Sequence, residues 1–285
     1  MKVVAEAGVD RAIFEIYGLR GVERFNEILA THQDWTTEQA LKHLEAEPTR
    51  PWTQFFNDTR FVSIAQKLFW EREARQHNEH IEILEIGCSS GEETYSLAIM
   101  MFEAGCVDFH ITAVDVNPIV IGTAREGKYK LNYPIDTLNH LPHELRRSDF
   151  INGYFEDTGT TWSAEGTEKP IAEAAEQLKR KTTFVCHDII DQPVPGNYGV
   201  IVINNVLGLY PRTTREKMLR NILASMQSGG LLVLEPFRPA MNNPTDWERE
   251  SLVPYNAWRL ELSKNFPVEA VDLNDGCYRF IGNQK

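Results

Sequence analysis

Several things are scarce in this chain, and each scarcity narrows what it can be. Its 285 residues hold four cysteines, Cys88, Cys106, Cys186 and Cys277. They are widely spaced and never form a CxxC pair, which argues against a zinc knuckle or a disulfide framework and leaves reduced thiols. Basic charge is also short: 29 Lys and Arg face 41 Asp and Glu, a formal net charge of −12. Such a field repels phosphate backbones, and no basic run interrupts it, so nucleic acid is not an expected partner. No apolar run reaches the roughly 18 residues a membrane helix needs, and the start lacks a basic segment followed by an apolar run and a cleavage site. The expectation is a cytoplasmic protein with no membrane insertion. His77-x-x-His80 and His140-x-x-His143 have ligand-like spacing but no third and fourth ligands nearby, so no metal is expected. There is no GxSxG elbow either, which disfavours a serine hydrolase.

What is present suffices for a large core: 42% of residues are hydrophobic and 10% aromatic. Up to about Lys67 the pattern is helical, with "RAIFEIYGL" and "VERFNEILATH" spacing apolar residues three and four apart and "TTEQALKHLEAE" opening on a threonine cap. Pro48 and Pro51 punctuate the chain there, so residues 1–67 read as a helical lobe and linker and 68–285 as the main domain. From Ile81 the rhythm becomes strand, helix, strand: "IEILEIG", "EETYSLAIMMFEAG", "FHITAVDVN", then a helix opening on Pro118. Such alternation predicts a parallel sheet with crossover helices. "YGVIVINNVLGLY" is the most continuous apolar run and belongs to a strand buried on both faces. "TTREKMLRNILASMQ" is a helix, Gly229-Gly230 its stop, and "VEAVDLNDGCYRFIG" a final hairpin. "EDTGTTWSAEGTEKP", Glu156 to Pro170, reads as an exposed loop. The fold class is α/β, a Rossmann-like sheet of the class I methyltransferase type.

Ligands of open α/β sheets sit beyond the carboxyl ends of the strands, where the strand order reverses. At the first such end "EIGCSSGEE" carries Gly87 and Gly91 but neither GxGxxG nor a Walker lysine. Glu92 and Glu93 in the next helical turn disfavour pyrophosphate and suit a cationic nucleoside, S-adenosylmethionine (SAM), with S-adenosylhomocysteine as product. Asp115 ends the next strand 28 residues after Gly87, where an acid can accept from both ribose hydroxyls. Cys88 fits as a small residue in the turn.

The motifs "GCSSGEETYSLA", "AVDVNPIVIGTAREGKY", "LPHELRRSDF", "FVCHDIIDQPVP", "INNVLGLY" and "SGGLLVLEP" together resemble the chemotaxis receptor methyltransferases, the CheR family, from roughly Ile13 to Phe280. The resemblance implies an N-terminal helical lobe on a SAM-binding domain with a small inserted subdomain, here about 130–180. It also implies methyl transfer from SAM to receptor glutamates. By it, Thr53 and Glu93 would contact SAM, Gly87 and Cys88 its loop, Asp115 and Val116 the ribose side, Asp188 and Ile189 the adenine region, and Asn204 and Asn205 the methionine end. The chain also departs from the family. Phe-Phe-Arg-Asp/Glu is replaced by Phe55-Phe56-Asn57-Asp58, and Arg-Asn-Val-Leu-Ile-Tyr-Phe by Asn204-Asn205-Val206-Leu207-Gly208-Leu209-Tyr210. An arginine that could orient a carboxylate bidentately is gone, which leaves Asn57 and Tyr210 as candidate catalytic residues. A longer segment after Glu235 carries Trp247, Tyr255 and Trp258, expected as an aromatic lid over an acceptor.

Displacement at a sulfonium needs positioning rather than acid catalysis. A carboxylate acceptor is already a nucleophile at neutral pH, whereas an amine or hydroxyl would need a base, for which Asp58, His187, Tyr210 and Glu235 are candidates. The lost arginines favour a small-molecule or other non-standard acceptor. The alternatives are a receptor glutamate, as a protein carboxylate acceptor, or a SAM-binding sensor without catalysis.

Overall fold

A computed structural model describes residues 25, 28–32, 34–40, 55–56, 80–130, 153–164, 167–204, 206–210, 212–234, 253–272 and 276–282. The chain separates into two compact units, Met1–Trp52 and Thr53–Lys285. Within the first, Thr36 and Gln39 close a reciprocal cap. The Gln39 amide donates to the Thr36 hydroxyl at 3.2 Å and the Thr36 amide to the Gln39 side-chain carbonyl at 2.8 Å, satisfying two amides the helix cannot. Phe25, Ile28 and Ala40 are its buried apolar positions among the described residues.

The second unit runs β1 (Ile81–Ile86), α1 (Glu92–Glu103), β2 (Phe109–Asp115), α2 (Pro118–Glu126), β3 (Lys128–Lys130), β4 (Phe155–Ala164), β5 (Thr167–Ala174) and α3 (Glu176–Lys179). It continues with β6 (Thr182–Cys186), β7 (Tyr198–Ile203), a 3-10 turn (Leu207–Leu209), α4 (Arg212–Ala224) and β8 (Met226–Val233). The last elements are α5 (Val253–Leu260), α6 (Leu262–Asn265), β9 (Val268–Asp272) and β10 (Cys277–Phe280). Seven strands form one sheet in the order β6-β2-β1-β7-β8-β10-β9. β6, β2, β1, β7 and β8 are parallel, while β10 runs antiparallel to both β8 and β9. This is the Rossmann-like sheet of class I methyltransferases, and its order reverses between β1 and β7.

Alternation along the central strands explains the two-sided core. In β7, Val200 and Val202 join Ile83 and α1's Leu97 on one face. Ile201 and Ile203 join Leu84, Ile86 and α4's Met218, Leu219 and Ile222 on the other. A strand apolar at every position has both faces covered, as "GVIVI" predicts. Pro118 starts α2 because its missing N–H costs nothing there, and the Asn117 side chain caps it by accepting from the Ile119 amide at 2.9 Å.

Two expectations are corrected. Glu156 to Pro170 is not a loop: it lies in β4 and β5, which pair antiparallel in a separate three-stranded sheet of order β3-β5-β4. Its threonines suit a pleated surface, and an antiparallel pair open to solvent needs no apolar run. The register slips between Asp157 and Thr161, a bulge around Gly159 that gives the stretch its loop-like composition. Gly229-Gly230 is likewise not the helix stop. α4 ends at Ala224, where the Ser225 amide bonds the Ile222 carbonyl and the Ser225 hydroxyl the Val194 carbonyl at 2.8 Å. The glycines fall inside β8, where the pairing with β7 slips between Tyr198 and Val200. Among the described residues no helix is long and apolar enough to cross a membrane.

Candidate functional site

The reversal between β1 and β7 brings the carboxyl ends of β1, β2, β6 and β7 to one rim, and Gly87, Cys88, Glu93, Asp115, Val116, Asp188, Ile189 and Asn204 lie at or just beyond those ends. At the tip of β1 the chain turns through Gly87, Ser89 and Gly91, all with positive φ (81°, 50° and 91°). Gly87 is required sterically as well as conformationally. A Cβ there would lie 2.1 Å from Val206 Cγ2, because the segment leaving β7 closes directly over the bend. The Gly87 and Cys88 amides both donate to the Val114 carbonyl, tying the turn to β2. Cys88 is buried, and burial pushes its thiol well above the usual range, so it serves as a small packing residue and not as a nucleophile.

Asp115 closes the loop from the other side, accepting from the Ser89 amide at 3.0 Å and the Asn117 amide at 2.9 Å, one on each carboxylate oxygen. Burial pushes its carboxyl above the ordinary value, and these amides and that of Val116 oppose the shift. Three amides leave at least one of the carboxylate's roughly four acceptor sites for a ribose hydroxyl. Next to it Val116 and Ile119 are exposed apolar residues, a lip suited to the face of a purine.

The paired glutamates take different tasks. Glu92 accepts from the Ser90 hydroxyl at 2.7 Å and so belongs to the loop, and burial pushes its carboxyl up. Glu93 is buried and accepts from the Asn204 side-chain amide at 2.8 Å, joining the first turn of α1 to the tip of β7. α1 begins at Gly91, in the left-handed region and without a side-chain cap. The rim thus gathers shielded acids, which suit a cation such as the sulfonium of SAM better than a pyrophosphate.

Of the other predicted residues, Asp188 forms a local turn by accepting from the Ile190 amide at 2.8 Å. Ile189 packs its side chain into the core, and the Asn221 amide holds its carbonyl at 2.8 Å. What Ile189 presents to a ligand is therefore backbone. Tyr210 is half-buried just after the 3-10 turn. Trp258 is corrected: it is 2% exposed, on α5, within the core cluster that holds Leu262, Val268 and Tyr278, so it is no part of a movable lid. An aromatic on the buried stripe of an amphipathic helix goes to the sheet, and this one packs there beneath Arg215. Thr53, Asn57, Asp58, Asn205, Glu235, Trp247 and the side chain of Tyr255 lie outside the described residues.

Sequence reasoning passed over three residues that shape the rim. Val206 covers Gly87. Ser89 supplies an amide to Asp115. Arg215 reaches from α4 to the carbonyls of Leu207 (2.9 Å) and Gly208 (3.4 Å), fixing the turn after Asn204. Its signal was available, since Arg215 shares the helical stripe of Met218, Leu219 and Ile222, where a charge has no reason to be unless it bonds inward.

Comparison with known proteins agrees with this geometry. The family described as CheR methyltransferase, SAM binding domain, matches residues 52–236. The chemotaxis protein methyltransferase of Salmonella typhimurium is 28% identical over 220 residues, 75% of this chain and 68% of that protein. Chemotaxis protein methyltransferase 2 of Pseudomonas aeruginosa is 26% identical over 204 residues, 66% of this chain and 67% of that one. The chain thus spans about two thirds of the length of these curated relatives. The solved N-methyltransferase NodS of Bradyrhizobium japonicum overlaps 86% of this chain and 98% of its own, at 16% identity and a TM-score of 0.41, a likeness too loose to add to what the strand order establishes. With a family match over more than half its length and a class I sheet bearing a cation-suited rim, the chain belongs to the CheR family of SAM-dependent methyltransferases.

Proposed function

We propose that the acceptor is a protein carboxylate, a glutamate of a receptor-like partner, rather than a small molecule. The observation that carries this reading is the family match over residues 52–236, joined by relatives whose names are chemotaxis protein methyltransferase. The fate of Trp258 agrees with it, because a closed metabolite pocket under an aromatic lid loses one of the three rings that suggested it. SAM supplies the methyl group, and this chain's residues hold and orient it. Asp115 takes the ribose, Val116 and Ile119 flank the base, Glu93 and Asn204 meet the methionine end, and the Gly87 to Gly91 turn lies under the tail. An ionised glutamate attacks in line without a base, so the rim needs no proton acceptor beside the sulfur.

The replacement of arginine by Asn57 and Asn204 favours the second reading, an acceptor that needs no bidentate guanidinium. One experiment separates the two. Purified protein with methyl-labelled SAM is offered a receptor cytoplasmic fragment, the same fragment with its glutamates changed to glutamine, and a panel of small carboxylates and amines. Base-labile label on the first fragment alone supports the proposal. Label on a small molecule with both fragments blank overturns it.

A further inference from the structure

Glu85 is a buried acid that the reaction as described leaves without a task. It sits two residues before Gly87 in β1, paired in register with Ala113 of β2 and Val202 of β7, and is 1% exposed. Strand alternation puts it on the Ile83 face, under α1. Its Oε2 has no hydrogen-bond partner, and the Thr94 hydroxyl facing it from α1 closes none either. Among the described residues the groups around it are Cys88 from the loop, Thr94 from α1, Asp115 from β2 and Tyr129 from β3, with Val202 beside it in β7, and none of these is a cation. Burial with no cation among the described neighbours disfavours the ionised form, so the empty site favours the protonated acid up to about neutral pH. Burial, and after it the Asp115 charge, push its carboxyl up to about 7, with Thr94 opposing.

We propose that Glu85 is the residue by which the site tells the sulfonium donor from its thioether product: protonated when the site is empty, it gives its proton to solvent as the donor's positive charge arrives. The proposal rests on SAM being the cofactor. On methyl transfer the sulfur–methyl bond breaks with its electron pair left on sulfur, a bond to the acceptor forms, and the site loses one positive charge. Glu85 then takes a proton back from solvent, and the product is held less tightly than the donor.

The test is calorimetric titration of SAM and, separately, S-adenosylhomocysteine into the whole protein between pH 6 and 8, in buffers of differing ionisation enthalpy, for the wild type and Glu85→Gln. A group titrating near 7 in the empty site predicts that SAM affinity falls roughly tenfold from pH 8 to pH 6 with matching proton release, and that the product shows a clearly smaller change. In Glu85→Gln both dependences flatten. A flat profile for the wild type, equal slopes for the two ligands, or a slope that survives in Glu85→Gln overturns the proposal. Failure of both ligands to bind at any pH overturns the cofactor reading instead. Should Glu85→Gln not fold by circular dichroism, Thr94→Val serves: loss of the facing hydroxyl must move the midpoint of the wild-type dependence to higher pH, and an unmoved midpoint counts against the proposal.

Discussion

The two ends of β1 hold similar residues with opposite consequences. At the amino end His80 bonds Asp108 at 2.7 Å and Glu82 at 2.9 Å, all three side chains being nearly half exposed. At the carboxyl end Glu85 of β1, Glu92 and Glu93 of α1's first turn and Asp115 at the end of β2 gather around the loop, largely shielded from water, and burial drives up three of their carboxyls. The amino-end cluster is complete, since its charges already have partners and solvent screens what remains. At the carboxyl end no cation stands beside Glu85 or Asp115 among the described residues, and the shielding of these acids suits them to one. Composition does not distinguish the two ends; burial does.

The largest break in that comparison should come from Gly87→Ala. The methyl group would meet Val206 at an impossible distance in a backbone conformation that alanine avoids. Strain and overpacking together put the cost at roughly 4 kcal/mol. Thermal unfolding should show it, and calorimetry should show SAM binding lost. A variant as stable as the wild type would mean that the segment at 206 does not close over the bend.

Glu85→Gln comes next, read now as stability. The folded carboxyl titrates above its ordinary value of 4.5, at about 7. The protonated form is thus the one that folding favours, and its advantage is full below 4.5 and lost as pH rises to about 7. Glutamine stays neutral throughout, so the variant should gain relative to the wild type across that window, to at most about 3 kcal/mol at pH 8. Denaturant melts at pH 4.5 and 8 measure this. A variant less stable than the wild type at pH 8 would show that the carboxylate has a partner there.

Asp115→Asn should cost about 2 kcal/mol of SAM affinity, some thirtyfold, because an amide accepts with one oxygen where the carboxylate uses two. Calorimetry checks it. Equal affinity would leave Asp115 as loop scaffolding alone.

What was legible follows the same division. Strand β7 announces itself because both its faces are covered and its residues are almost all apolar, while β1, β2 and β6 are marked by their place in the strand-helix alternation. Gly87, Glu93 and Asp115 could be marked because strand ends next to glycine are where open sheets bind. The Glu93–Asn204 bond could not be, since 111 residues separate its partners and only the sheet order brings them together. β4 and β5 were missed because a solvated antiparallel ladder carries no periodic apolar signal, and Trp258 was misplaced because helical spacing says that a ring has a buried side without saying against what. Glu85 reads in sequence as a polar residue in a strand; only three-dimensional packing shows that it is buried with an oxygen left unbonded.

The smallest effect is expected at the amino end, and it tests the comparison from its quieter side. The Asp108 hydrogen bond, with Glu82 assisting, holds the His80 ring above its ordinary value. A raised histidine stabilises the fold fully below its unfolded value and loses that contribution as pH rises through the folded one. His80→Gln should therefore cost about 0.5 kcal/mol at pH 5.5, as exposed pairs do, and less at pH 8.5. High salt should erode the difference, since the Debye length falls to about 3 Å at 1 M. SAM affinity should not move, because His80 stands at the opposite end of the strand from Gly87. Paired melts at the two pH values, each with and without salt, give all three readings. A loss of several kcal/mol, or one indifferent to salt, would mean that this exposed cluster matters to the fold as much as the buried one, and the contrast between the two ends of β1 would fail.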